Sequence, residues 1–263
     1  IMYIADQKVQ WPMALSRSSI KSIKALHLKK FRQKYNNFIV EGDKIVSELL
    51  QQERYQVQAL YALPEWLAEK GAGFTNFKGE PHAVSEKELA QISQLRTPNQ
   101  VLAVVRIPPA EAFVAPHDDW VIYLDALQDP GNVGTILRIA DWFAIRTVIA
   151  GPGTVELYNS KVLQATMGAF LRVRWVEADL AQLLNPDHPL PVWAATMQGQ
   201  DIFSLPKPEG GILCIGNEGQ GLSPATLALA KQQVSVPAPA GSGAESLNAA
   251  VATGILCAAL RRG

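Results

Sequence analysis

Residues 234–260 read VSVPAPAGSGAESLNAAVATGILCAAL. The stretch opens as a short apolar strand at 234–236. It turns through Pro237, Pro239, Gly241 and Gly243, residues with a fixed φ or freedom to reach a positive one. It closes as a helix over 247–260 that Glu245 or Ser246 can open. Leu247, Val251, Ile255, Leu256 and Leu260 leave that helix no polar face, so it is expected to be buried. A strand, a polar turn and a buried helix form the last repeat of an alternating pattern. The polar Ser-Leu-Asn turn at the helix head suggests a binding site built on a packed core.

The same alternation runs back through the second half. Apolar strands are expected at 121–124, 147–150, 173–176, 192–195 and 212–215. Helices are expected at 133–143, 161–170, 180–184 and 224–231. Short continuous apolar strands separated by helices make a mostly parallel sheet covered on both faces. The first half alternates on a smaller scale. A basic helix at 18–35 precedes a strand at 38–40 and a helix capped by Asp43. A strand at 57–63 and a helix opened by Pro64 follow. A short strand at 82–84, a capping box at Ser85–Glu88 and a closing strand at 101–105 complete a small α/β domain. The expected domains are 1–105 and 119–263. The proline-rich, aperiodic 106–118 reads as a linker.

The 263 residues carry no net charge, yet the charge is uneven. Residues 7–40 hold no acid, while Lys8, Arg17, Lys21, Lys24, Lys29, Lys30, Arg32 and Lys34 contribute eight cations. A charge run is ordinarily a solvated helix face. Eight cations without one acid point instead to a polyanion, with Lys29, Lys30, Arg32 and Lys34 as RNA-binding candidates. The two cysteines, Cys214 and Cys257, sit in apolar runs and read as buried inert thiols. No zinc spacing appears, so no metal is expected. There is no secretory signal pattern and no apolar run long enough to span a bilayer, which reads as cytoplasmic.

Ligands of parallel sheets sit outside the carboxyl ends of the strands. Three turns there stand out. The first, DALQDPGNVGTILR at 125–138, offers Asn132 as an N-cap and places Arg138 within two turns of a strand end. Its plain reading is a capped helix with Arg138 paired to Asp141. An arginine there can also hold a phosphate or polarise a hydroxyl. The second, IGNEGQGLSP at 215–224, has glycines for close backbone approach, but it is neither the dinucleotide fingerprint nor a P-loop. Glu218 would repel phosphates, so the loop suits a ligand that lacks them or carries positive charge. The third is the opening stretch, with Glu245, Ser246 and Asn248 at the helix head.

Taken in order, DPGNVGTILRIAD, LCIGNEGQGLS and VPAPAGSGAESLNAAVATG resemble the motifs of the SpoU/TrmH family of RNA 2'-O-ribose methyltransferases, in the SPOUT superfamily. The basic run into FIVEGDKIVSELL and the later TPNQVLAVV resemble that family's ribosomal-protein-like substrate-binding domain. The resemblance implies an α/β catalytic domain whose C-terminal part forms a trefoil knot. It implies S-adenosylmethionine held in the knot loops, a homodimer with its active site at the subunit interface, and methylation of ribosomal RNA, with tRNA as the alternative. Residue by residue it implies catalytic roles for Asn132, Arg138, Glu218, Ser246 and Asn248. It also implies cofactor contacts at Gly216, Gly219, Val236 and Leu247, with Thr196 near another. Two departures stand out: a longer loop between Val236 and Ser246, and Ala144 where glycine is usual. Family accounts let Arg138 draw off the ribose proton. Because arginine stays charged at neutral pH, it is expected here to clamp a phosphate and stabilise the developing alkoxide. Two other classes compete. A nucleotide-dependent oxidoreductase lacks its glycine fingerprint in this chain, and a non-catalytic RNA-binding factor would have no use for five intact polar motif positions.

Overall fold

The computed structural model describes residues 15–70, 74, 77–116, 118–184 and 190–261. Lys8 of the basic run lies outside them. The chain divides into two compact units, residues 1–109 and 110–263.

In the first unit the expected basic helix is two helices, α1 (Arg17–Ala25) and α2 (Lys29–Tyr35). The break at Leu26–Leu28 has a physical cause. Leu26 is buried, and the His27 ring is held against the Ile92 carbonyl at 3.0 Å. Burial, with Arg32 and Lys24 nearby, lowers the pKa of His27. There follow β1 (Asn37–Glu41), α3 (Asp43–Leu49), β2 (Val57–Ala62), α4 (Pro64–Lys70), β3 (His82–Ala83), α5 (Glu86–Ile92) and β4 (Val101–Arg106). The sheet order is β1-β4-β2-β3. β4 runs antiparallel to β1 and β2, and β3 is parallel to β2. The capping box forms as expected: Ser85 Oγ accepts from Glu88 N, and Glu88 Oε2 accepts from Ser85 N at 2.9 Å. Asp43 is not the cap of α3. It is the first helical residue, and its carboxylate accepts from the buried Trp66 Nε1 at 2.6 Å.

The second unit contains β5 (Trp120–Asp125), α6 (Pro130–Trp142), β6 (Thr147–Ala150), α7 (Ser160–Thr166), β7 (Arg174–Glu177), α8 (Leu180–Leu183), β8 (Val192–Asp201), β9 (Gly211–Gly216), α9 (Pro224–Leu229), β10 (Gln232–Ser235) and α10 (Ala249–Arg261). The sheet order is β10-β8-β9-β5-β6-β7, and every neighbouring pair is parallel. β5 is buried along its whole length, as expected of a strand covered on both faces. The expected helix 161–170 is interrupted. Met167 and Gly168 adopt left-handed φ of 49° and 93°, and a 3-10 turn follows at Ala169–Leu171.

Two local details matter for the site. Ala144, the residue standing where glycine is usual, has φ 55° and ends α6 through Ile145 N→Ala140 O at 2.8 Å. A left-handed alanine costs roughly 1–2 kcal/mol, and the packed helix end tolerates it. The second detail is the pairing of β10 with β8. It shifts register between Gln233, opposite Ala194, and Val234, opposite Gln200. Residues 195–199 of β8 are therefore an excursion. Gly199 closes it, because a Cβ there would lie 2.4 Å from the Val234 backbone.

α10 corrects one expectation. It begins at Ala249, capped by Asn248, whose Oδ1 accepts from Ala250 N at 2.9 Å. Its apolar surface is not wholly buried either, since Val251 is 52% exposed and Leu247, just before it, 46%.

Candidate active site

β5, β9 and β10 end at Asp125, Gly216 and Ser235. The three motif turns leave from these carboxyl ends. At the first, the N-cap of α6 is Asp129, whose Oδ1 accepts from Asn132 N at 2.7 Å. Asn132 is therefore not the cap, and its buried amide is free to act sideways. Its Nδ2 donates to Glu218 Oε1 at 2.8 Å. Its Oδ1 accepts from Asn248 Nδ2 at 2.9 Å. One asparagine side chain thus joins residues 86 and 116 positions away into a single hydrogen-bond chain. All three turns meet there.

Arg138 is a separate case. It is exposed and makes no hydrogen bond or ion pair among the described residues. The plain reading paired it with Asp141. That carboxylate is taken by Arg172, which holds it through Nε at 3.0 Å and Nη2 at 2.8 Å. Asn132 and Arg138 are six residues apart on one helix, about 9 Å along the axis and a third of a turn around it. The guanidinium shares no hydrogen bond with the Asn132 amide chain.

The second turn is the most tightly built. Asn217 and Gly221 exchange both backbone hydrogen bonds at 2.9 Å. Asn217 Oδ1 accepts from Gly219 N at 2.9 Å and Gln220 N at 3.1 Å. Four of the five N–H groups of residues 217–221 are thus used inside the loop. Apart from the Glu218 N–H, what it has left for a ligand is acceptors: peptide carbonyls and the Glu218 carboxylate. Phosphate cradles need the opposite, a set of free N–H groups. Gly216 is required by close approach, since a Cβ there would fall 2.3 Å from the Gly221 carbonyl carbon. An acceptor loop fits a ligand with a positive centre, as S-adenosylmethionine has. It does not fit a dinucleotide.

The remaining candidates are looser. Thr196 lies on the β8 excursion, with Oγ1 3.4 Å from Gln233 Oε1. A Cβ at Gly219 would meet only Asn217 Oδ1, at 3.7 Å. Ser246 is exposed and makes no hydrogen bond among the described residues. In the first unit, Lys29, Lys30 and Lys34 are exposed on α2. Lys30 and Lys34 rest on the rings of Phe31 and Tyr35, at 4.9 and 5.6 Å. Arg32 is a correction. It is 4% exposed, and its Nη1 donates to Leu26 O at 2.8 Å and His27 O at 2.9 Å. It fastens the end of α1 and presents nothing to a phosphate.

Two residues of the site were passed over in the sequence. Asp125 is buried, pairs with Gly216 across the ladder, and accepts from Ser223 N at 2.7 Å. It thereby holds the residue that caps α9. A carboxylate ending an otherwise apolar strand was the available signal, because buried charge needs a partner. Asn217 stood in plain view between glycines. Both thiols are buried, and burial raises the Cys257 pKa to about 12. Among the described residues no three metal-binding side chains cluster, and no helix is long and apolar enough to cross a membrane.

The SpoU rRNA Methylase family matches residues 119–258, and the MRM3-like substrate binding domain matches residues 17–103. A 23S rRNA (guanosine(2553)-2'-O)-methyltransferase of Bacillus subtilis is 32% identical over 92% of this chain and 95% of its own. A TrmH-family RNA methyltransferase structure from Porphyromonas gingivalis superposes with TM-score 0.84 at 36% identity, covering 95% of this chain and 99% of that one. An AdoMet-bound rRNA methyltransferase from Sinorhizobium meliloti gives 0.83 at 25% identity, covering 95% and 97%. With three motif turns joined by one amide and a match across most of its length, the chain belongs to the SpoU rRNA methylase family.

Proposed function

We propose that this protein methylates a ribose 2'-hydroxyl of ribosomal RNA, using S-adenosylmethionine, in the cytoplasm. The observation that carries the reading is the Glu218–Asn132–Asn248 hydrogen-bond chain, which ties the three turns into one acceptor-rich pocket. The relatives named above act on or are assigned to RNA of this kind. The second unit is the methyltransferase, its C-terminal segment threaded as the family's knot. The first unit grips RNA through Lys29, Lys30 and Lys34.

Bound S-adenosylmethionine supplies an electrophilic methyl group on a sulfonium. Gly216, Gly219, Val236 and Leu247 would hold it, with Thr196 at the edge. Asn132, Glu218 and Asn248 bond to one another, so we assign them to positioning: they fix the turns against each other. Arg138 clamps the phosphate beside the target ribose and stabilises the oxyanion as the hydroxyl loses its proton. That proton leaves through phosphate, water or Ser246. Electrostatic help of this kind is worth about 3–4 kcal/mol.

The protein acts as a homodimer. Trp142, Val251 and Leu247 are 84%, 52% and 46% exposed on or beside α6 and α10, two helices packed together through Ile139 and Gly254. Apolar surface of that kind calls for a cover. A twofold mate would supply its Arg138 to this pocket, which accounts for a guanidinium set apart from its own amide chain.

The test is transfer of labelled methyl from S-adenosylmethionine to rRNA and to tRNA, with calorimetry of S-adenosylmethionine against NAD. Label in the ribose of rRNA is expected. Binding of NAD alone would refute the reading, and label in tRNA alone would replace the substrate. Mixing Arg138→Ala with Asn132→Ala protein is expected to restore part of the activity each lacks. No restoration would mean that Arg138 serves its own subunit.

A further inference from the structure

We infer that Asn217 is a positioning residue that presets the glycine-rich turn as an acceptor surface, and so selects a cofactor bearing cationic and amino donors over one bearing phosphates. The inference rests on the proposed cofactor and adds the residue that makes the pocket choose it.

The geometry is specific to an asparagine. Its Oδ1 takes the N–H groups of Gly219 and Gln220. Its Nδ2 donates at 2.9 Å to the carbonyl of Ala126, in the neighbouring turn. Ala126 has φ 53°, a conformation an alanine holds only when its surroundings insist. One side chain therefore withdraws two donors from the ligand face and pins a strained residue of the first turn. Asn217 and Gly221 close the backbone ring, and Gly221, at φ 69°, supplies the left-handed turn. Between them Glu218 is left with its carboxylate on Asn132. Without the Asn217 side chain, two adjacent N–H groups would face outward. That is the beginning of an anion nest. Aspartate would keep the acceptor but set a negative oxygen against the Ala126 carbonyl. Alanine would lose both halves.

The first measurement is amide hydrogen exchange on the free full-length protein. The Gly219 and Gln220 amides are expected to be protected before any cofactor is added, and to lose protection in Asn217→Ala. Calorimetry then reads selection. Asn217→Ala is expected to bind S-adenosylmethionine about tenfold more weakly, to gain affinity for ATP, and to raise KM for the cofactor by a larger factor than it lowers kcat. Asn217→Asp should fall between. Unprotected Gly219 and Gln220 amides in the wild type would overturn the inference, as would unchanged S-adenosylmethionine and ATP affinities in Asn217→Ala. If that variant does not fold, wild-type exchange and Asn217→Asp decide. A wild type that takes up no S-adenosylmethionine would strike the proposed function itself, and the selection claim with it.

Discussion

Arg32 on α2 and Arg138 on α6 look alike in the sequence. Each sits on a helix, and each was a candidate for phosphate. The structure separates them. Arg32 is inside, spending its guanidinium on the carbonyls of Leu26 and His27, where α1 ends. A cation at a helix C-terminus is favourable, and there it is scaffolding. Arg138 is outside, and Arg172 has already taken the carboxylate that could have neutralised it. One guanidinium is consumed by the scaffold, and the fold leaves the other uncommitted.

The largest effect that could break this contrast is at Arg138. Arg138→Ala should cut kcat about 100–1,000-fold, with S-adenosylmethionine affinity and Tm unchanged. Single-turnover transfer at saturating cofactor measures it, and a wild-type rate would remove Arg138 from the chemistry. Next comes Arg32→Met. Stripping donors from buried carbonyls should destabilise the first unit by about 2–3 kcal/mol, read by urea melts, while methyl transfer per folded molecule stays constant. A loss of salt dependence without a loss of stability would return Arg32 to the RNA surface. Third, replacing Lys29, Lys30 and Lys34 by Gln should flatten the dependence of log K on log salt by about 2 for RNA contacts of single-strand character. An unchanged slope would leave the first unit without a role in RNA binding. The smallest effect is expected at Arg172→Ala. It frees Asp141 to engage Arg138 three residues away on the helix, which is worth about 0.2–0.5 kcal/mol, or roughly a halving of kcat. No change would mean that the Asp141–Arg172 pair does nothing to keep Arg138 available.

Much of the fold was legible. Continuous apolar strands with helices between them can only be a covered parallel sheet, and the second unit is one. Local chemistry was legible too: the Ser85 box and Pro64 at a helix start both formed. Other local assignments failed where a neighbour competed. Asn132 looked like the cap of α6, but Asp129, one turn earlier, took that place. The helix at 247–260 read as buried because its apolar residues leave it no polar face. Periodicity cannot tell a buried apolar face from an exposed one.

The sequence by itself determined the alternation, the ends of the strands and the three polar turns, because propensity and pattern act over a few residues. Only the tertiary structure decided that Asn132 bonds to both Glu218 and Asn248, that Arg32 is scaffolding, and that Arg138 is uncommitted. Those outcomes depend on which partners 86 or 116 positions away arrive within 3 Å. A hydrogen bond that short is fixed by the packing of whole strands, and no local pattern encodes it.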